Sequence, residues 1–149
     1  MKKIKDDYNA WAYQYDNNIN PTRDLDKTVT KESLSNIDFF KVLELGCGSG
    51  KNTEWLITRA EKVVGLDFSK NMLDLAKRKI ITDKATFINT DLNENWPVSD
   101  NSFDLATINL TLEHIEILDH IFNSSFKKLI QGGNCFVCEL HPKKQLAGS

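Results

Sequence analysis

Lys41-Val42-Leu43-Glu44-Leu45-Gly46-Cys47-Gly48-Ser49-Gly50 is an apolar run that carries an acidic residue near its end and passes into glycines on three alternate positions. A second apolar run, Val63-Val64-Gly65-Leu66, ends in Asp67, 21 residues beyond Gly46. A strand feeding a glycine turn, followed by a strand ending in a carboxylate, suits a nucleoside. The turn lets a ligand approach the backbone, and the carboxylate grips ribose hydroxyls.

Working outward from that stretch, Phe39 to Leu45 is nearly continuous in apolar character, as a parallel strand covered on both faces must be. Lys51 to Ala60 is predicted to be a helix with Trp55 and Leu56 inward, and Lys62 to Leu66 the next strand. Ser69 is a suitable N-cap for a helix whose Met72, Leu73, Ala76 and Ile80 form one stripe. Ala85 to Asn89 is a third strand, Asp91 to Ser102 a polar loop containing Trp96-Pro97, and Phe103 to Asn109 a fourth strand. Ile115, Leu118, Phe122, Phe126 and Leu129 mark an amphipathic helix that Gly132-Gly133 should end, and Asn134 to Leu140 a fifth strand. Ahead of these, Ile4, Tyr8, Trp11, Ala12 and Tyr15 recur at helical spacing, and Pro21-Thr22 opens a second helix with Leu25, Val29 and Leu34 as its apolar positions.

The alternation predicts an α/β fold, a Rossmann-like doubly wound sheet of about five parallel strands with right-handed crossovers behind N-terminal helices. The expected organisation is one domain: a helical cap over 1–38, the sheet core over 39–141 and a tail over 142–149. Ligands in such sheets sit beyond the carboxyl ends of the strands. Gly46, Asp67, Asp91, Asn109 and Glu139 all fall at or just past predicted strand ends, so they converge on one rim.

Composition narrows the setting. The 149 residues are 40% hydrophobic and 27% charged, with a formal net charge of −2, which gives no electrostatic reason to expect nucleic acid as a partner. No apolar segment is long enough to cross a bilayer, and Met1-Lys2-Lys3-Ile4-Lys5-Asp6-Asp7 lacks the apolar stretch of a signal peptide. Three cysteines fit a reducing compartment better than a disulfide framework, so a cytoplasmic protein without a membrane partner is expected.

The rim has its own chemistry. A dinucleotide fingerprint wants a third glycine where Lys51 stands, and it meets a pyrophosphate at the helix N-terminus. Glu44 would repel a pyrophosphate and attract an ammonium group. A ligand with an adenosine body and a cationic amino-acid tail satisfies both ends, and S-adenosylmethionine is such a cofactor. Cys135, Cys138 and His141 have the spacing of metal ligands, but residues three apart on a strand point to opposite faces, so no metal is expected there.

On these residues the chain resembles the class I S-adenosylmethionine-dependent methyltransferases from about Tyr8 to His141. Four segments carry the resemblance: Val42 to Gly50, Val64 to Leu73, Asn89 to Leu92, and Phe103 to Ile115. It implies that Gly46, Cys47 and Gly48, in the turn that Gly50 closes, line the methionine portion of S-adenosylmethionine, with Glu44 near its amino group or an ordered water. It also implies Asp67 on the ribose hydroxyls, Phe68 and Met72 against the adenine, Asp91 and the Leu92 backbone at its amino edge, and Asn109 and Leu110 facing the sulfonium. Tyr15-Asp16 matches an N-terminal segment whose aromatic residue closes over the cofactor. Arg23 is either a solvated charge or a partner for a carboxylate at the pocket mouth.

The implied reaction is in-line transfer of methyl from the sulfonium to an O, N or C of a small-molecule acceptor. A base is needed only where the acceptor loses a proton. Glu113, His114 and His141 are the candidates near the rim, with His114 taken as the catalytic one. His114 equally suits a packing or capping role.

Members of this family usually continue past the fifth strand with a helix and an antiparallel pair of strands, which this chain, ending at Ser149, is expected to lack. The fifth strand should then present an apolar edge that a second copy or another partner covers. Cofactor binding is expected to survive, with weak or absent turnover. A non-catalytic S-adenosylmethionine-binding domain acting through a partner is therefore the second reading. An NAD-binding oxidoreductase is the third, disfavoured by Lys51 and Glu44.

Overall fold

A computed structural model describes residues 21–139. Its elements are α1 (Pro21–Leu34), β1 (Lys41–Leu45), α2 (Lys51–Leu56), β2 (Lys62–Asp67), α3 (Lys70–Lys79), β3 (Ala85–Asn89), β4 (Phe103–Asn109), a 3₁₀ turn (Leu112–His114), α4 (Leu118–Lys128) and β5 (Leu129–Cys138). The five strands form one parallel sheet in the order β3-β2-β1-β4-β5. The chain winds outward through β2 and β3, then returns past β1 to build β4 and β5. The order therefore reverses between β1 and β4, where a crevice opens at the carboxyl ends of the strands.

Register fixes which side chains share a face. Val42 pairs with Val63 and Leu105, and these three pack with Leu34, Phe39, Leu56 and Ala60 beneath α1 and α2. On the other face Leu43, Leu45, Val64, Leu66, Ala106 and Ile108 pack with Leu92, Trp96, Phe103 and Ile121. Both faces of β1 are thus covered, which is the physical reason its sequence shows no polar alternation. Ser69 caps α3, its hydroxyl accepting from the Met72 N–H at 3.3 Å, and Met72, Leu73, Ala76 and Ile80 are all buried.

Four expectations need correction. α2 is shorter than the helix predicted over 51–60, stopping at Leu56 with a turn after it; Leu56 is buried but Trp55 only partly so. In α1 the buried residues are Arg23, Asp26, Thr30 and Leu34, while Leu25 is 59% exposed. The inward face is polar because it overlies the cleft rather than the apolar layer.

In α4 the inward residues are Ile121 and Ser125, whereas Leu118 and Phe126 face outward. The predicted stripe fails because its first member, Ile115, precedes the helix and its last, Leu129, already pairs with Phe103 in β5. Ser125 tolerates burial by donating to the Ile121 carbonyl at 2.7 Å. Gly132-Gly133 does not end that helix. It lies inside β5, where pairing jumps from Phe103 with Leu129 to Leu105 with Asn134, and Gly132 takes φ +84 to accommodate the extra residues.

Ile130 and Val137 are exposed on β5, which pairs only with β4 among the described residues. Cys135 packs against the layer containing Ile121 and Cys138 faces Asp26, so the two thiols do lie on opposite faces. No helix among the described residues is long and apolar enough to cross a membrane. The first predicted helix, with Tyr8, Trp11 and Tyr15, and His141 with the tail lie outside the described residues.

Candidate functional site

The crevice at the strand reversal is a cleft open to solvent, lined from α1, the glycine turn, the start of α2 and the ends of β1, β2 and β4. The glycine turn forms its floor. Gly46 takes φ +72, and a Cβ there would lie 2.2 Å from Thr111 Oγ1, so both backbone conformation and space demand glycine. The turn is tied to β2 by hydrogen bonds from the Gly46 and Cys47 N–H groups to the Leu66 carbonyl, at 2.7 and 3.1 Å.

Asp67 closes the far side of the turn. Its Oδ2 accepts from the Gly48 N–H at 2.8 Å and its Oδ1 from the Ser69 N–H at 2.9 Å. Burial pushes this carboxyl up to about 6, against the lowering effect of the N–H groups of Ser69, Gly48 and Phe68. A carboxylate offers about four lone-pair sites, so one stays open to a further donor.

Glu44 stands at the near side. It is 4% exposed and accepts a short hydrogen bond from the Thr53 hydroxyl. Burial first, and then the charges of Asp67 and Asp26, raise it to about 8 despite that bond. Buried carboxyls with elevated affinity for protons are poised to receive a cation.

Asp26 reaches this cluster from α1. Its Oδ1 accepts from Asn109 Nδ2 at 2.8 Å and its Oδ2 from Asn52 Nδ2 at 2.9 Å. Asn109 Nδ2 also donates to Thr30 Oγ1 at 2.8 Å, while Asn109 Oδ1 is buried without a partner among the described residues. The Cys138 thiol is pushed up to about 12, first by burial, then by its bond to Asp26 and the charges of Asp26 and Glu139. Burial, with Asp67 and Glu44 adding to it, drives the Cys47 thiol well above its ordinary range.

The remaining wall follows β4. Leu110 takes φ +50, a left-handed conformation that a branched side chain rarely adopts. The loop is pinned there by Leu110 N–H to the Cys138 carbonyl at 2.9 Å, and by Glu139 Oε2, which accepts from the N–H groups of Thr111 (2.8 Å) and Leu112 (3.3 Å). His114 follows, its ring 6.1 Å from that of Phe68. Burial lowers its affinity for protons more than the neighbouring Glu113 raises it.

The cleft brings together Arg23, Glu44, Gly46, Cys47, Gly48, Asp67, Phe68, Met72, Asn109, Leu110 and His114 of the predicted residues. Gly50 lies outside the lining, at the N-terminus of α2. Asp91 and Leu92 are also outside it. Asp91 Oδ1 accepts from the backbone and side-chain N–H groups of Asn93, and Leu92 is buried in the apolar layer. Tyr15 lies outside the described residues. Sequence reasoning missed Asp26, Asn52, Thr53 and Thr111. Only Asp26 left a signal, as one of three polar residues, Arg23, Asp26 and Thr30, at helical spacing on one stripe.

The methyltransferase domain family matches residues 43–137. Trans-aconitate 2-methyltransferase from Rhizobium leguminosarum bv. trifolii (strain WSM2304) is 32% identical over 123 residues, covering 76% of this chain and 45% of the relative. Demethylmenaquinone methyltransferase from Clavibacter sepedonicus is 26% identical over 114 residues, covering 76% of this chain and 46% of the relative. The chain spans about half the length of the curated relatives it matches. Among solved structures, a DhpI-SAM-HEP complex superposes with a TM-score of 0.76 at 28% identity, covering 95% of this chain and 66% of that one.

Proposed function

The chain belongs to the class I S-adenosylmethionine-dependent methyltransferase family, and on that premise we propose that its cleft binds S-adenosylmethionine and serves methyl transfer to a small-molecule acceptor. The observation that carries this reading is the pair of buried carboxyls, Glu44 and Asp67, on either side of a turn that admits no side chain at Gly46. One suits a cationic tail, the other a ribose diol.

When bound, the cofactor supplies a methyl group on a sulfonium already activated by its positive charge. The protein's part is to hold and orient. Asp67 takes a ribose hydroxyl on its open lone-pair site. Glu44 and Asn109 receive the ammonium, Arg23 faces the tail carboxylate, and Gly46, Cys47, Gly48 and Gly50 shape the turn. Phe68 and Met72 flank the adenine, with Asp91 and the Leu92 backbone, just beyond the cleft lining, at its amino edge and Tyr15 closing from the N-terminal side. Leu110, held in its left-handed conformation by Glu139 and Cys138, shapes the wall beside the reacting sulfur. His114 is the base for an acceptor that must lose a proton, because burial keeps its imidazole neutral and able to accept one. Fixing donor and acceptor in line is the main source of rate in such a site.

Support for a small acceptor comes from relatives named for aconitate and demethylmenaquinone. Isothermal titration with S-adenosylhomocysteine tests the binding half: saturable, near-stoichiometric binding is expected, and stabilisation by NAD alone would overturn the cofactor assignment. Transfer of tritiated methyl to a small-molecule extract tests turnover. A second reading, binding without turnover and association through β5, is favoured by the exposed Ile130 and Val137 on that edge. Binding without any methyl transfer would select it.

A further inference from the structure

The four buried residues of α1 are Arg23, Asp26, Thr30 and Leu34, so apolar anchoring is confined to its last turn. The rest of the helix is held by polar contacts: Asp26 to Asn52 and Asn109, Thr30 to Asn109, and the Lys51–Asp24 ion pair. Hydrogen bonds of this kind exchange with water at modest net gain, so the segment is held less firmly than an apolar helix of equal length. Asp26, 6% exposed and lining the cleft as Arg23 does, engages both oxygens with Asn52 and Asn109, which also line it. Asn52 belongs to the helix after the glycine turn and Asn109 to the end of β4, so one carboxylate ties α1 to both sides of the strand reversal.

The donor pattern at Asn109 makes this bond directional. Both N–H groups of its amide are spent on α1, one on Asp26 and one on Thr30. Turning the amide over would set its oxygen against the Asp26 carboxylate, acceptor against acceptor. Asp26 thus fixes which way Asn109 faces.

We propose that Asp26 is a positioning residue that latches α1 to the cofactor cleft through Asn52 and Asn109, so that cofactor occupancy and docking of α1 reinforce each other. Reciprocity follows from linkage: a ligand that binds better with α1 docked also holds α1 down. The inference rests on the cofactor assignment above.

Two measurements test it. In the wild-type protein, saturating S-adenosylhomocysteine should slow amide hydrogen exchange across residues 24–30 as well as in the glycine turn. Exchange that slows in the turn but not in 24–30 overturns the latch while leaving the cofactor assignment intact. Absence of saturable binding by wild-type protein defeats both.

The second measurement is a charge-neutral exchange of partners. Asp26→Asn sets an amide N–H against one of the two donors and should weaken S-adenosylhomocysteine binding about tenfold, the range of ordinary coupling between sites. The D26N/N109D double variant restores one donor opposite one acceptor and should return the protection of residues 24–30 against amide exchange, lowered in D26N, to near that of wild type in ligand-free protein. A folded D26N protein with unchanged affinity overturns the latch, as does a folded double variant whose residues 24–30 exchange as fast as those of D26N.

Discussion

Two helices on the same face of the sheet are docked by opposite chemistry. α3 lays Leu73, Ala76 and Ile80 against β2 and β3, all buried and apolar, with only Met72 at its first turn reaching the cleft. α1 presents Arg23 and Asp26 to the cleft, buries Thr30 against Asn109 and exposes Leu25. The difference separates scaffold from binding wall. An apolar seam is strong without a ligand and indifferent to one, whereas a polar seam over a cleft is marginal alone and gains when a complementary charge arrives.

The largest expected effect lies on the scaffold side. Leu73→Ala should lower unfolding stability by about 2–5 kcal/mol, as other buried leucine truncations do. Denaturant melts with and without S-adenosylhomocysteine should show the same ligand-induced increment as wild type. A ligand increment that collapses with Leu73 would erase the distinction between the two helices.

On the wall side, Gly46→Ala should reduce S-adenosylhomocysteine affinity more than tenfold, about 1.4 kcal/mol or more. The methyl group must displace Thr111, and the left-handed backbone itself disfavours alanine by about 1–2 kcal/mol. Titration calorimetry reads the affinity, and an unchanged value would mean the turn is scaffold after all.

Glu44 gives a pH signature. Its folded value of about 8 exceeds its ordinary value of 4.5, so between these limits the folded state holds a proton that the unfolded state has lost. Its contribution to stability is complete below about pH 4.5 and falls as pH rises towards 8, by roughly 1.4 kcal/mol per pH unit at the steepest. Thermal melts of ligand-free protein should decline across this window, and Glu44→Gln should flatten the decline. A parallel slope in that variant would assign the effect to Asp67, whose value of about 6 confines it to the acid half.

The smallest effect belongs to Leu25→Ala, which should change stability by less than about 0.5 kcal/mol because the side chain is 59% exposed. A larger loss in a denaturant melt would show that α1 has an apolar seam after all.

The elements that the sequence made plain are those where one physical demand acts alone. β3 and β4 begin and end where their apolar runs do. Glu44 and Asp67 were readable because glycines beside strand ends leave few alternatives. Asp26 was not. A charged residue on a helix reads as solvated, and only the fold shows that its stripe overlies a cleft. α4 misled for a related reason: Ile115 and Leu129 fit a helical period, yet they belong to a turn and a strand, and period alone does not mark where a helix begins. Gly132-Gly133 looked like a helix stop because a bulge and a C-cap call for the same residue.

Cys47 offers a use that none of these roles suggests. Its side chain is buried, and it lies so close to β2 that a Cβ at Gly65 would come 2.8 Å from its sulfur. A thiol that is both enclosed and held in its protonated form is inert to alkylating reagents until the turn lifts off the sheet. Its labelling rate is therefore a built-in clock for opening of the glycine turn. That clock should slow when S-adenosylhomocysteine is added, and it needs no engineered probe.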